Sequence, residues 1–220
     1  MHSMEIDAYF DPICPWCFIG KRRLAQALSL RPNIKVAVNW RPFLLNPDMP
    51  EHGMRRDHYL LGKFGSEGRV RRLLGALEEF GQSEEIDFQF SNIAHTPSTV
   101  DAHRLVHFAA TADNNANAAD RIVELLFQAF FNQGLDIGEY KVLLDIGIKT
   151  GFKKNDVEKA LDGGIESDWV MEENAKAHRL GINGVPCYII DGQFAIQGAQ
   201  PPAVMVKILD SANIKLSQTG

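Results

Sequence analysis

The chain has 220 residues, 45% apolar and 23% charged, a globular composition that excludes a disordered chain and a disulfide-stapled miniprotein. Its 23 basic and 28 acidic residues sum to a net charge of −5, which argues against a general binder of nucleic acid or of anionic membranes. No apolar run is long enough for a membrane-spanning helix.

The start, Met1 to Pro12, has no signal-peptide pattern, so the expected location is the cytoplasm; Met1 to Ser3 read as a cloning remnant ahead of Met4. Glu5 to Phe10 alternates polar and apolar residues and runs into Asp11-Pro12, a strand ending in a loop. From Pro15 to about Leu30 the apolar residues Phe18, Ile19, Leu24, Ala27 and Leu28 recur at helical spacing, and Arg31-Pro32-Asn33 breaks the pattern. Ile34 to Trp40 alternates again and is β-branched, a second strand parallel to the first.

Arg41 to Gly53 holds three prolines and reads as a loop. From Met54 to Gly181 the signals are almost all helical. Ser66 caps one helix, Thr96 with Pro97 opens another through about Ala112, and residues 117–132, 138–150 and 155–162 follow. A long helix from about Ile165 to Leu180 ends at Gly181, a suitable C′ residue. Val185 to Ile190 and Phe194 to Ile196 flank Asp191-Gly192, a hairpin signal, and Pro201-Pro202 starts a last helix to about Ala212. The pattern predicts one α/β layer interrupted by helices: residues 1–50 as β-α-β, 51–164 as a helical insertion, and 165–220 as α-β-β-α.

Three cysteines, Cys14, Cys17 and Cys187, are too few for a disulfide framework. Cys14-Pro15-Trp16-Cys17 stands where the first strand hands over to the first helix. A thiol there faces the unpaired N–H groups and positive dipole end that favour its thiolate. Pro15 at the first helical position loses no needed donor. Cys17 lies three residues on, along the same helix face, so one thiol can attack and the other resolve. A zinc site is the competing use of such a pair, but it needs two more ligands and there is no second C-x-x-C.

The second signal is Gly184-Val185-Pro186-Cys187-Tyr188. Proline in a strand-like run belongs at an edge, at a strand start or in a cis turn, and a cis-proline would open the Val185 backbone to a partner peptide or thiol. His103 and His107 have metal-ligand spacing but no flanking Glu, so a packed or partly exposed helix face is expected. Arg55, Arg56, Arg69, Arg71 and Arg72 form a basic stretch, expected as a solvated face, with an anionic-substrate rim as the alternative.

DPICPWCFIGKRRL, WRPFLLNPDMPEHG, DAHRLVHFA and GVPCYIIDGQFAIQGAQ, in this order, resemble the thioredoxin-fold proteins of the DsbA type, and within them the FrnE-like subgroup. The resemblance runs nearly end to end. It implies a thioredoxin fold with an inserted all-helical domain, a Cys14 nucleophile, a resolving Cys17 and a cis-Pro186. The superfamily also holds 2-hydroxychromene-2-carboxylate isomerases and kappa-class glutathione transferases. Those usually carry serine in place of Cys14 and lack Cys17. They also tend to place a polar-acidic pair for glutathione where Ala199-Gln200 stands here.

Cys187 departs from the subgroup, where threonine or an aromatic residue is common. On this fold it is expected near the active pair, as an inert core thiol, an alternative disulfide partner of Cys14, or a third metal ligand. Asp11, three residues before Cys14, can either accept the Cys17 proton or shape the turn. Trp16 is expected as an exposed rim for partner contact, with packing on the inserted helices as the alternative.

The resulting expectation is a cytoplasmic protein-disulfide oxidoreductase or isomerase of the DsbA family. Its redox centre is the Cys14–Cys17 pair, with no metal or other cofactor and with glutathione as an optional co-substrate. Its partners are protein or small-molecule thiols and disulfides, not nucleic acid or membrane. Two alternatives stand beside it: a glutathione-dependent isomerase of the 2-hydroxychromene-2-carboxylate type, and a redox-sensing, chaperone-like binding protein.

Overall fold

The computed structural model describes residues 3–112, 117–162 and 165–219; Met1 and His2 lie outside them. In chain order, β1 (Met4–Phe10), α1 (Pro15–Ser29) and β2 (Val36–Pro42) come first. β3 (Met54–Arg55), α2 (Arg56–Phe64), α3 (Glu67–Ser83), β4 (His95–Thr96) and α4 (Val100–Thr111) follow. Then come α5 (Ala118–Phe127), α6 (Tyr140–Lys149), α7 (Lys154–Asp162) and α8 (Ile165–Arg179). The chain closes with β5 (Cys187–Ile190), β6 (Phe194–Gln197) and α9 (Pro202–Thr219).

The main sheet has the order β2-β1-β5-β6. β1 pairs in parallel with β2, Ile6 opposite Val38, and antiparallel with β5, Ala8 opposite Tyr188 and Tyr9 opposite Cys187. Alternation along β1 sorts the faces. Ile6, Ala8 and Phe10 join α1, α9 and Tyr188 in the large core, whereas Tyr9 joins Phe43, Ala177 of α8 and Cys187 in a smaller cluster. This is a thioredoxin fold with a helical insertion, as the resemblance implied.

The local signals decide several boundaries. Asp191 and Gly192 both take positive φ, 47° and 67°, as the central pair of a turn closed by the Gln193 N–H donating to Ile190 O at 2.9 Å. Gly181 at φ 80° closes α8, with its N–H donating to His178 O and the Ile182 N–H to Ala177 O, a Schellman motif. The Ser66 hydroxyl caps α3 by accepting the Arg69 N–H.

The structure differs from expectation between β2 and α4. Thr96-Pro97 does not open a helix. Thr96 sits in β4, paired with Met54 of β3, and α4 starts only at Val100 behind Thr99. Strands of two residues carry no readable period. Gly53 (φ 67°) makes this pairing fit, since a Cβ there would lie 2.5 Å from Thr96 O. The α9 helix also runs on to Thr219, past the expected end near Ala212.

The insertion grips the first turns of α1. Phe18 stacks on Phe127 at 5.0 Å between centroids, and Phe131 packs edge-on against Phe88 at 5.3 Å. Five π-helical residues, Gln128–Asn132, follow α5, and within them Phe130 and Phe131 are fully buried. Three consecutive bases of α1 are each tied to the insertion. Lys21 meets Asp120 at 2.8 Å, Arg22 meets Glu124 at 2.7 Å and Arg23 meets Glu84 at 2.6 Å.

Candidate active site

Cys14 is the N-cap of α1, in extended conformation and with no side-chain cap bond, so its sulfur is not consumed in holding the helix. The preceding turn is fixed by its own atoms: the Cys14 N–H donates to Asp11 O at 2.9 Å. Pro15 occupies the first turn, where it costs the helix no hydrogen bond. The Cys14 thiol lies 3.7 Å from Val185 O. The Val185–Pro186 bond is cis, and Pro186 O accepts the Gly198 N–H at 2.8 Å. Residues 171 positions apart thus meet at one point.

Cys17 lies behind Cys14, 1% exposed. Burial first, then the hydrogen bond it shares with Cys14, raises its thiol well above the ordinary cysteine range. It is a protonated thiol at neutral pH, and it needs a base before it can attack.

Asp11 is fully buried beneath the pair. Its Oδ1 accepts the Ile13 N–H at 3.1 Å and its Oδ2 accepts the Leu45 N–H at 2.8 Å, so it shapes the turn and also ties the loop after β2 to the site. Burial pushes its pKa up to about 6, against the pull of those two N–H groups, the Thr99 side chain and the Lys63 charge. Its charge acts on Cys17.

Trp16 is half-buried and packs on Phe80 of α3, ring centroids 5.2 Å apart. It packs in part on the insertion and stays partly exposed beside Phe80, itself 44% exposed. Cys187 follows the cis-proline but belongs to the cluster with Tyr9, Phe43 and Ala177 on the other face of the sheet. Strand alternation carries Tyr188, and not Cys187, to the side of the active pair. Burial raises the Cys187 thiol pKa as well.

Among the described residues no group of three or more His, Cys, Asp or Glu side chains is placed to hold a metal ion. His103 is 1% exposed against the Phe10 ring, and burial lowers its pKa to about 3, so it is a neutral core residue. His107 stacks on Trp169 at 3.6 Å. Ala199 O receives Arg23 Nη1 at 2.6 Å, and the Gln200 amide folds back onto Gln197 O. A cleft of about 470 Å3 is lined by residues 181–186 with Gln197 and Gly198, so it opens beside Val185 and Pro186.

Two residues escaped the sequence pattern. Gly20, one turn after Cys17, has the Tyr188 hydroxyl and Pro186 Cγ where a Cβ would go, at 2.4 and 2.8 Å. Tyr188 is 1% exposed, and among the described residues its hydroxyl has no hydrogen-bond partner. Burial, followed by the charges of Cys17 and Cys14, raises its pKa well above the usual phenol. A glycine inside an otherwise well-formed helix was the one signal that could have revealed this contact.

The sequence model of the DSBA-like thioredoxin domain family matches residues 5–210, and the chain belongs to that family. It is 24% identical over 216 residues to YwbO of Bacillus subtilis (strain 168), covering 97% of this chain and 99% of that one. Its fold is similar to that of the probable DsbA oxidoreductase SCO1869 from Streptomyces coelicolor, at 25% identity and a TM-score of 0.86, covering 95% and 89% of the two chains. A 2-hydroxychromene-2-carboxylate isomerase shares the fold at 16% identity and a TM-score of 0.69, covering 98% and 97%. Membership of that family makes the chain a redox enzyme in the general sense. No described helix is long and apolar enough to cross a membrane.

Proposed function

We propose that this member of the family is a thiol–disulfide oxidoreductase working through Cys14 and Cys17. One observation carries the reading: the Cys14 thiol, at the start of α1, lies 3.7 Å from Val185 O in the cis-proline loop, with Cys17 behind it. An incoming substrate strand can pair with the backbone at Val185, which lines the cleft beside the active pair, and so bring its sulfur to Cys14.

The Cys14 thiolate attacks one sulfur of a substrate disulfide, forming a mixed disulfide and releasing one substrate thiolate. Cys17 then gives its proton to Asp11, whose carboxylate is ionised at neutral pH, and attacks the Cys14 sulfur. The second substrate thiolate leaves, and the Cys14–Cys17 disulfide remains. Two electrons have passed to the substrate, and the reverse sequence oxidises a dithiol. The substrates are protein or small-molecule thiols and disulfides, and no metal or other cofactor takes part. We assign this work to the cytoplasm, with glutathione as an optional co-substrate.

The test is the redox state of Cys14 and Cys17 in graded glutathione buffers, read by alkylation and mass. A reversible two-electron transition in the range of roughly −270 to −120 mV covered by proteins of this fold is expected. Absence of a Cys14–Cys17 disulfide across the series would overturn the mechanism. Calorimetric binding of glutathione without that disulfide would instead favour glutathione-dependent isomerisation.

A further inference from the structure

In the basic stretch of the insertion, Arg55, Arg69, Arg71 and Arg72 are exposed, as expected, but Arg56 is not: it is 8% exposed. Burying a cation is costly unless something compensates it. The fold meets this cost elsewhere. Buried Lys21 is paired with Asp120, and buried Arg104 with Asp101. Arg56 has no such partner. Among the described residues its Nε has no hydrogen-bond acceptor and no carboxylate lies within ion-pair distance of it. The adjacent Asp57 is already taken by Arg55 at 2.6 Å. What Arg56 does touch is the face of Phe130, 5.4 Å from the ring centroid. Burial draws its pKa down only to about 10, so it is charged at neutral pH.

The uncompensated charge sits at a cleft. A volume of about 520 Å3 is lined by Arg55, Arg56, Asp57, Leu60, Phe90 and Ile93, with Ala94. Arg56 is the first residue of the nine-residue helix α2, where its own N–H donates to Ala94 O and the His58 N–H to Asp57 Oδ1, so the guanidinium rather than the helix end is what the cleft offers an anion. The guanidinium fork matches the two oxygens of a carboxylate or phosphate, and Leu60, Phe90 and Ile93 supply an apolar wall.

We propose that this cleft is a binding site for an oxyanion group, carboxylate or phosphate, borne by a small molecule whose apolar body packs on Leu60, Phe90 and Ile93. The site pairs the one buried cation that, among the described residues, the fold leaves without a carboxylate.

The experiment titrates the full chain with inorganic phosphate and, separately, with benzoate, at ionic strength held constant with chloride. The readouts are the NMR resonance of the Arg56 Nε–H, assigned by its loss in Arg56→Lys, and the thermal unfolding midpoint. A saturable shift of that resonance with a rise in the midpoint is expected for at least one probe. Response to benzoate alone identifies a carboxylate ligand, and response to phosphate alone a phosphate ligand. Arg56→Met is expected to weaken the response at least about tenfold, the loss of a charge-assisted hydrogen bond. No saturable shift with either probe, or an equal midpoint response in Arg56→Met, overturns the proposal. Should Arg56→Met not fold, the resonance titration of the unsubstituted chain decides. The Cys14–Cys17 transition is expected to be unchanged in these variants, so failure here leaves the redox reading standing.

Discussion

Gly20 and Tyr188 are in contact so close that a single methyl group on Gly20 would stand 2.4 Å from the Tyr188 hydroxyl. Helix α1, which carries both active cysteines, can approach the cis-proline strand only because that position has no side chain. Gly20→Ala is therefore expected to destabilise the protein by about 1–3 kcal/mol by overpacking, although alanine favours a helix by roughly 1 kcal/mol. Tyr188→Phe alone is expected to be neutral or stabilising by about 1 kcal/mol, because the hydroxyl has no partner to lose. In the double variant Tyr188→Phe should recover part of the Gly20→Ala loss. Denaturant unfolding of the four proteins checks this, and strictly additive effects would sink it.

Asp11 should leave a signature in the pH dependence of stability. Its folded pKa, about 6, is above the ordinary 3.8, so the folded chain holds this proton more tightly than the unfolded chain. The stabilisation is then complete below about pH 4 and is lost as pH rises to 6, roughly 3 kcal/mol in all. His103 acts in the opposite sense. Its pKa falls from 6.5 to about 3, so its contribution is present above pH 6.5 and lost as pH falls. Subtracting the curve of Asp11→Asn cancels the His103 part. The stability of the unsubstituted chain relative to the variant should drop between pH 4 and 6 and level off above pH 7. A flat difference would remove Asp11 as a buried carboxyl with a raised pKa.

The same carboxylate should govern resolution. In the unsubstituted protein the breakdown of a Cys14 mixed disulfide is expected to speed up around pH 6, as Asp11 ionises. In Asp11→Asn it should be slower by about a hundredfold or more and should climb only at the higher pH where Cys17 itself ionises. Stopped-flow measurement on a preformed mixed disulfide decides, and identical pH profiles would exclude Asp11 as the proton acceptor.

The three thiols should part company toward iodoacetamide. Cys14, at the edge of the cis-proline loop, is expected to be modified first. Cys17 and Cys187, each 1% exposed and with burial raising their pKa, should react only on the timescale of unfolding. Cys17→Ser should accumulate a mixed disulfide on Cys14 and none on Cys187. Peptide mapping by mass reads both, and rapid labelling of Cys187 would contradict its place behind the sheet.

Lys21 and Asp120 join the active-site helix to the insertion. The Lys21 side chain is 10% exposed and that of Asp120 50% exposed, so the pair is only partly desolvated. Lys21→Met is expected to cost about 1–3 kcal/mol, and a cycle with Asp120→Asn should give a coupling of at least about 0.5 kcal/mol. Independent effects would mean that this pair adds nothing to a junction held by Phe18, the surrounding aromatic rings and the Arg22 and Arg23 pairs.

Much of the fold could be read along the chain because the signals are local. Asp191-Gly192 is suited to the positive φ of a tight turn, Gly181 ends its own helix, and Cys14-Pro15-Trp16-Cys17 carries its position at a strand–helix junction within a dozen residues. The short β3–β4 pair was not legible, because two residues contain no period and their partners lie about forty positions apart.

The sequence by itself determined which thiols stand at the start of a helix and where the proline loop falls, since both follow from backbone preferences of adjacent residues. Only the tertiary structure decided that Cys187 faces away while Tyr188 faces the active pair, that Trp16 packs in part on Phe80, that Asp11 is sealed beneath Leu45, and that Arg56 alone of its basic stretch is buried. These outcomes depend on which distant segments meet. Burial and charge compensation are properties of the assembled neighbourhood, and neighbours in space are fixed by packing rather than by spacing along the chain.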